Sequence, residues 1–582
     1  MKLKRLYLRY SLTLQKLKIK FRNLEAEDFQ KAYIILSRRL YRIIHLRNLV
    51  VFCLVFIIVM VSMFVSSFKD LEAYYNKDKP LSGGTYTEGK MGKFLRLNPI
   101  YSQTNQNDED AVNLIFSGLV KTKDGKTLEP DLASGWTLSE DRKTYTFDIR
   151  EGVKWHDGES FSADDVIFTI QTIQNPDARS PLYEAWKGVK AEKTDKGDVR
   201  FALKEKNEAF LANTTLKIIP KHVLDGIPAA SIQTVEFNIK PVGTGPYEFE
   251  SLAKEPGRET LIMRANEDFY STKPYLNKIV IEGFLDEKEL LDEYNKKNVD
   301  GIGDPTQKMV KKYAGARGTL VHEYTLPRYI GAFFNVDNNF LKEKALRSSI
   351  NLVTDRKEFL DFSAGGRGLA VYSPITYGGA SGAKDIAKAS ESLKAAGYVL
   401  EGGSLKREGK EVSLKIVTGD TDELKKSAEL FQKNLKLLGI KSEVKSADMN
   451  SLQNEFIRPR DYDILIIGEN NGLYPDLFSF WHSSQINDPG LNFSKYKDRK
   501  LDKFLEIVRK TANQSEKKTR LAEIQKIINE EAVAVYLYNP FYNFIASDKV
   551  KGIEGGRIIS PSDRFLQIKD WYEKADRVPI DE

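Results

Sequence analysis

The feature that most constrains this chain is a run of twenty residues without a single charge, Leu49 to Phe68 (LVVFCLVFIIVMVSMFVSSF). As a helix rising about 1.5 Å per residue it would be roughly 30 Å long, which matches the hydrocarbon thickness of a bilayer. Helices buried in a protein core seldom stay uncharged over such a length, so the run predicts one membrane crossing. Signal peptides carry a short basic leader and about 7 to 15 apolar residues. Here 48 residues precede the run, which favours an uncleaved anchor. The small residues Val65, Ser66 and Ser67 keep cleavage open as the alternative. The only cysteine, Cys53, follows Phe52 and precedes most of the apolar run, an unsuitable setting for a lipid anchor.

Charge sharpens the topology. The net charge is +7, yet thirteen Lys/Arg against three Asp/Glu put +10 into residues 1–48 alone and leave −3 for the rest. A basic leader stays on the cytoplasmic side, so residues 69–582 are expected outside, with the leader free to lie on anionic lipid or to act only as a topology signal. A mildly acidic body also argues against nucleic-acid binding, which needs basic surface on the folded part. One cysteine excludes an internal disulfide and a Cys-x-x-Cys metal site.

Beyond a polar tether at 69–82 the chain reads as mixed α/β. Thr144–Ile149 alternates as a strand, and Ser162-Ala-Asp-Asp165 opens a helix with a capping serine and early acids. Ser413–Val417 reads as a strand leading into a helix over Asp422–Leu438, closed by Gly439. A strand from Ile440 and the nearly continuous apolar Tyr462–Ile467 complete a βαβ-type segment covered on both faces.

Catalytic signals are missing. There is no G-x-S-x-G elbow and no H-E-x-x-H, and the five histidines have no spaced partners, so no enzyme activity, cofactor or metal is expected. Gly243-Thr-Gly245 lacks the lysine and hydroxyl of a phosphate loop and reads as a turn. Trp155-His156-Asp157-Gly158 reads as a structural turn, and the Asp164/Asp165 pair as acids at a helix N-terminus.

Ile115–Ile170 (IFSGLVKTKDGKTLEPDLASGWTLSEDRKTYTFDIREGVKWHDGESFSADDVIFTI) resembles the signature region of the family 5 extracellular solute-binding proteins, the peptide receptors of ATP-binding-cassette importers. The resemblance continues through Pro241–Tyr247, Phe333–Arg356, Ala395–Tyr398, Tyr474-Pro-Asp476, Leu491–Ser494 and Val533–Tyr538, from about residue 83 to the end. It implies an α/β, two-lobed, periplasmic-binding-protein-like fold of the large peptide-receptor type. Lobe one would comprise 83–318 plus 536–582 and lobe two 319–535, preceded by one transmembrane helix over 49–68. It also implies a monomer that captures a peptide or other small solute and passes it to the permease subunits of an importer. Alternatives are a non-peptide ligand, such as an oligosaccharide or metal chelate, and a surface sensor or assembly factor that keeps the fold.

Site residues follow from the same resemblance. Peptide receptors of the family hold the ligand's ammonium with an aspartate just before a proline, and the position counted back from Pro475 is here Asn471. An amide cannot neutralise a buried ammonium. Either Glu469 takes over or the ligand has no free amine. The stretch Glu469-Asn470-Asn471 is therefore the expected centre of recognition. Gln103 and Asn105 after Asn98-Pro99, Tyr183 after Ser180-Pro181, and Tyr536 or Tyr538 would line the cleft. Tyr474 and Trp481 are aromatic candidates for stacking, though each would serve equally in packing.

Overall fold

A computed structural model describes residues 30–31, 33–39, 41, 51–52, 54–63 and 76–579, except 208, 376–381 and 512. The chain divides into two units, residues 1–79 with 575–582 and residues 80–574. In the first, the described residues of 30–41 and 51–63 are helical. Apolar side chains of the second of these helices, such as Phe52 and Ile58, are exposed. Leu49, Val50, Cys53 and residues 64–68 of the expected span lie outside the described residues, and among the described ones no helix is long and apolar enough to cross a membrane. The expected tether is in part a strand: Asn76–Leu81 pairs with Lys574–Pro579.

The second unit is built on two large sheets. The first has eight strands in the order 556–557, 319–325, 542–547, 301–303, 85–91, 278–284, 258–265 and 247–255. The second has six, in the order 368–370, 534–540, 328–334, 464–470, 413–419 and 441–447. A four-stranded sheet, whose strands lie within 133–202, adds to the first lobe. Lobe one holds a large apolar core and a smaller one around Phe284, Leu290, Ile302 and Ile545, and separate cores cover the two faces of the six-stranded sheet. That double cover is why Ile464–Ile466 is continuously apolar.

Local signals translate directly. The helix Ala163–Gln174 starts on a capping box between Ser162 and Asp165. The strand Ser413–Gly419 runs parallel to Lys441–Ala447, with the helix Asp422–Leu437 as the crossover. Ala428, Phe431, Leu435 and Leu438 pack into one core, and Gly439 takes φ +73° to turn the chain out of the helix.

Gly243 and Gly245 are needed for closeness, not for phosphate. A Cβ on Gly243 would stand 1.9 Å from the carbonyl oxygen of Ile115. His156 pins this turn, accepting from the Gly243 N–H at its Nδ1 (3.2 Å) and reaching the Gly245 carbonyl with Nε2 (3.1 Å). Burial lowers its pKa to about 4, so the ring is neutral and can play both parts.

The chain passes between lobes twice, and both passages lie a strand later than expected. Thr319–Thr325, expected to open lobe two, belongs to the eight-stranded sheet. Ala534–Pro540, whose last five residues were expected in lobe one, belongs wholly to the six-stranded sheet. Each passage carries a proline. Pro327 separates Thr319–Thr325 from Arg328–Phe334, and Pro540 ends its strand one residue before Tyr542–Ser547 begins. A proline gives the ladder no N–H and bends the chain away from the continuing strand, so one sheet stops there and the other starts.

Candidate functional site

The parallel strands Ser413–Gly419 and Ile464–Asn470 point their carboxyl ends at the crossovers, the end at which open α/β sheets bind ligands. Asn470 pairs with Arg328 in the ladder, and the next residue is clamped, with Asn471 N–H donating to Pro327 O (2.7 Å) and its side-chain amide to Pro374 O (2.5 Å). The loop that follows is thereby fixed against the passage between lobes.

Two adjoining cavities open there, of about 370 and 410 Å3, sharing Ala185. Lobe one walls the first with Gln103, Glu109, Lys217 and Asp563, and lobe two closes it with Gly472 and Leu473. The second lies between Lys187 and Phe210 of lobe one and Phe478, Glu506 and Arg509 of lobe two. The Arg509 guanidinium lies 4.3 Å from the centre of the Phe478 ring. Together they form a cleft with both lobes as walls.

Burial dominates the electrostatics of the first cavity. Desolvation pushes Glu109 up to about 7, helped by the negative charges of Asp110 and Asp563. It raises Asp563 as well, against hydrogen bonds from the Ser560 and Ile559 amides. Lys217 is pushed down by the same burial, against the pull of Asp131 and Asp563. Among the described residues no group of three or more His, Cys, Asp or Glu is placed to hold a metal ion.

Of the sequence candidates, Gln103 lies on this wall, its amide donating to Pro99 O (2.9 Å). Tyr183 is half-buried at the start of the helix Tyr183–Trp186, and its neighbours Leu182, Glu184 and Ala185 line the cavities. Tyr474 is half-buried in the loop after the strand Ile464–Asn470. Asn105 is spent on the helix Gln106–Ile115, accepting from the amides of Asn107 (2.9 Å) and Asp108 (3.0 Å). Asn470 is exposed and folds its own loop by accepting from Gly472 N–H (2.9 Å).

The rest are interior. Glu469, expected to meet a ligand amine, is buried and accepts a hydrogen bond from the Tyr329 hydroxyl. Desolvation raises its pKa to about 8, so it is a neutral acid at physiological pH. Trp481 packs on Phe333, with ring centres 6.1 Å apart. Tyr536 and Tyr538 are both fully buried, on opposite faces of the sheet, because the pairing register shifts between Ile330 and Gly331. Tyr536 stacks edge-on against Tyr329, whereas the Tyr538 hydroxyl lies 2.8 Å from Ser427 Oγ. Sequence reasoning missed Glu109, Lys217, Asp563 and Arg509. The one trace of Glu109 in the sequence is its place among three successive acids, Asp108-Glu109-Asp110.

The pattern described as bacterial extracellular solute-binding proteins, family 5 Middle, matches residues 127–490. This chain belongs to that family. Similar proteins include the oligopeptide-binding protein AppA of Bacillus subtilis (strain 168), 26% identical over 515 residues that cover 85% of this chain and 92% of that one. The dipeptide-binding protein of Escherichia coli (strain K12) is 22% identical over 453 residues, covering 73% and 83%. Among solved structures, AppA from Bacillus subtilis in complex with a nonapeptide superposes with a TM-score of 0.68 at 25% identity, covering 85% of this chain and 99% of that one. NikZ from Campylobacter jejuni in complex with Ni(L-His) gives 0.68 at 25%, covering 84% and 99%. For this family-5 protein the comparisons support the two-lobed fold and an extracytoplasmic solute-binding role.

Proposed function

We propose that this protein is a membrane-tethered receptor that captures peptides between its lobes and delivers them to the permease of an ATP-binding-cassette importer. The observation that carries the reading is the pair of adjoining cavities walled by both lobes at the carboxyl ends of the strands. A ligand there touches both lobes only when they are close, so its binding energy favours closure. The likeness to peptide-binding AppA supports a peptide. The tether rests on the uncharged run and the +10 leader, and predicts retention in membranes after a high-salt wash.

With Asn471 uncharged and Glu469 interior, the carboxylates that the first cavity offers a ligand amine are Glu109 and Asp563. Mass spectrometry of the ligand that co-purifies, followed by calorimetric titration of free and N-acetylated forms of one peptide, tests this. Glu109→Gln is expected to weaken the free-amine peptide by about 1.5 to 3 kcal/mol, the worth of a charge-assisted hydrogen bond, and to leave the acetylated one unchanged. Glu109 must be ionised to hold a cation. Affinity for the free amine should therefore rise as pH climbs through about 7, and lose that rise in the variant. Equal binding of both peptides by both proteins would remove the amine from the reading. A second reading, a metal chelate, is favoured by the likeness to NikZ with Ni(L-His), and metal in the co-purified ligand would select it.

A further inference from the structure

A third cavity, of about 1070 Å3, lies beside the crossovers themselves and shares no lining residue with the peptide cleft. Arg328 and Pro540–Asn543, the residues on which the chain passes between lobes, form part of its wall. Lobe one adds Asp304–Lys308, and lobe two adds the end of the helix Arg356–Ala364 and the start of the helix Asp422–Leu437.

Four polar atoms of wall residues are buried with no hydrogen-bond partner: Arg328 Nε, Ser363 Oγ, Glu423 Oε1 and Asn543 Oδ1. Asn543 is only 5% exposed. Four of the other wall charges are paired within the protein, Arg367 with Glu323, Lys426 with Asp422 (2.7 Å) and Asp361 with Lys357 (2.5 Å), while Glu287, Asp304, Lys308 and Lys311 add two charges of each sign. Arg328 and Glu423 are not paired with each other, although the guanidinium is near enough to oppose the rise that burial imposes on the Glu423 pKa. The Tyr538 hydroxyl also hydrogen bonds to the Glu423 carboxyl and opposes the same rise. Partial burial makes unpaired charge costly, and here two half-buried groups of opposite sign, Arg328 and Glu423, line one cavity without pairing with each other.

We propose that this cavity is a second binding site, for a small zwitterion such as a free amino acid or a dipeptide, whose carboxylate meets Arg328 and whose ammonium meets Glu423. The wall carries five Lys/Arg and five Asp/Glu, so it favours a ligand with both charges over a simple anion or cation. Asn543 Oδ1 offers the ammonium a second acceptor. The site is independent of the proposed peptide cleft.

The test separates the two by filling the front. Ala185 is exposed and lines both front cavities, so Ala185→Trp obstructs them without touching the third. Alanyl-alanine titrated calorimetrically into Ala185→Trp protein is expected to bind. Adding Glu423→Gln or Arg328→Met should weaken it at least tenfold, and so should N-acetylating or C-amidating the dipeptide. Melting curves matching the parent's show that the variants fold, and Glu423→Gln alone decides if Arg328→Met does not. No binding to Ala185→Trp protein overturns the inference and leaves the peptide cleft standing. Binding indifferent to Glu423→Gln also overturns it. Binding that survives Ala185→Trp and falls with Glu423→Gln upholds it, even if the front cleft takes no peptide.

Discussion

At the scale of single residues, Glu469 shows how a sequence can point to the right neighbourhood and the wrong role. It lies at the end of a strand beside the cleft, where a carboxylate was wanted. Strand parity decides otherwise: Glu469 shares its face with Leu465 and Ile467, which pack into the core containing Tyr329 and Tyr536. The run Ile464-Leu-Ile-Ile hid that parity, since both faces of the sheet are covered and no alternation survives. The consequence is a carboxyl whose pKa in the folded state, about 8, stands well above its unfolded value near 4.5. Between those values the unfolded chain gives up a proton that the folded one keeps. Its contribution is thus fully present below about pH 4.5 and is lost as pH rises towards 8. Glu469→Gln keeps an acceptor for Tyr329 and removes the titration. It is expected to stabilise the protein by about 1 to 3 kcal/mol at pH 8 and by little at pH 5, read as the difference between urea unfolding curves of variant and parent. Equal stability differences at both pH values would show that Glu469 does not titrate in this way.

At the scale of elements, what was legible was local. The capping box at Ser162, the helix closed by Gly439 and the strand over Thr144–Ile149 all follow from residues within one or two turns of each other. The lobe boundaries were misplaced, yet Pro327 and Pro540 stood in the sequence inside apolar, strand-like runs. A proline there marks a break in the ladder. What could not be read was long-range pairing. Arg564 sits fully buried between Glu88 and Asp110, residues 476 and 454 positions away, and Lys90 pairs with the same Asp110. Ser562 adds a hydrogen bond to Asp110 (2.6 Å), so the segment Pro561–Asp570 is fastened to the helix Gln106–Ile115 that carries Glu109. No spacing rule predicts such a contact. Replacing Arg564 by leucine leaves two buried carboxylates with one lysine, and is expected to cost about 3 to 5 kcal/mol. Chemical denaturation measures this directly, and a loss below about 1 kcal/mol would mean that water or a shifted Lys90 takes over the charge.

At the scale of the whole binding body, residues 80–574, the two passages decide how it can move. Two connections, each no longer than a few residues and each bearing a proline, join two lobes whose cores are separate. Short crossovers of this kind allow one lobe to rotate against the other while each core stays intact, as in hinge closure around a ligand. Ligand then selects the closed form by the contacts it gains from the second lobe. Two measurements must respond together. At a ligand concentration a hundredfold above Kd the folded state gains about 2.7 kcal/mol, which raises the melting temperature. The radius of gyration in solution scattering should fall at the same concentrations. The pairing of the two readouts matters, because tight binding to one lobe alone raises the melting temperature and leaves the scattering profile as it was. That outcome would show that the cavities walled by both lobes are not where the ligand is held.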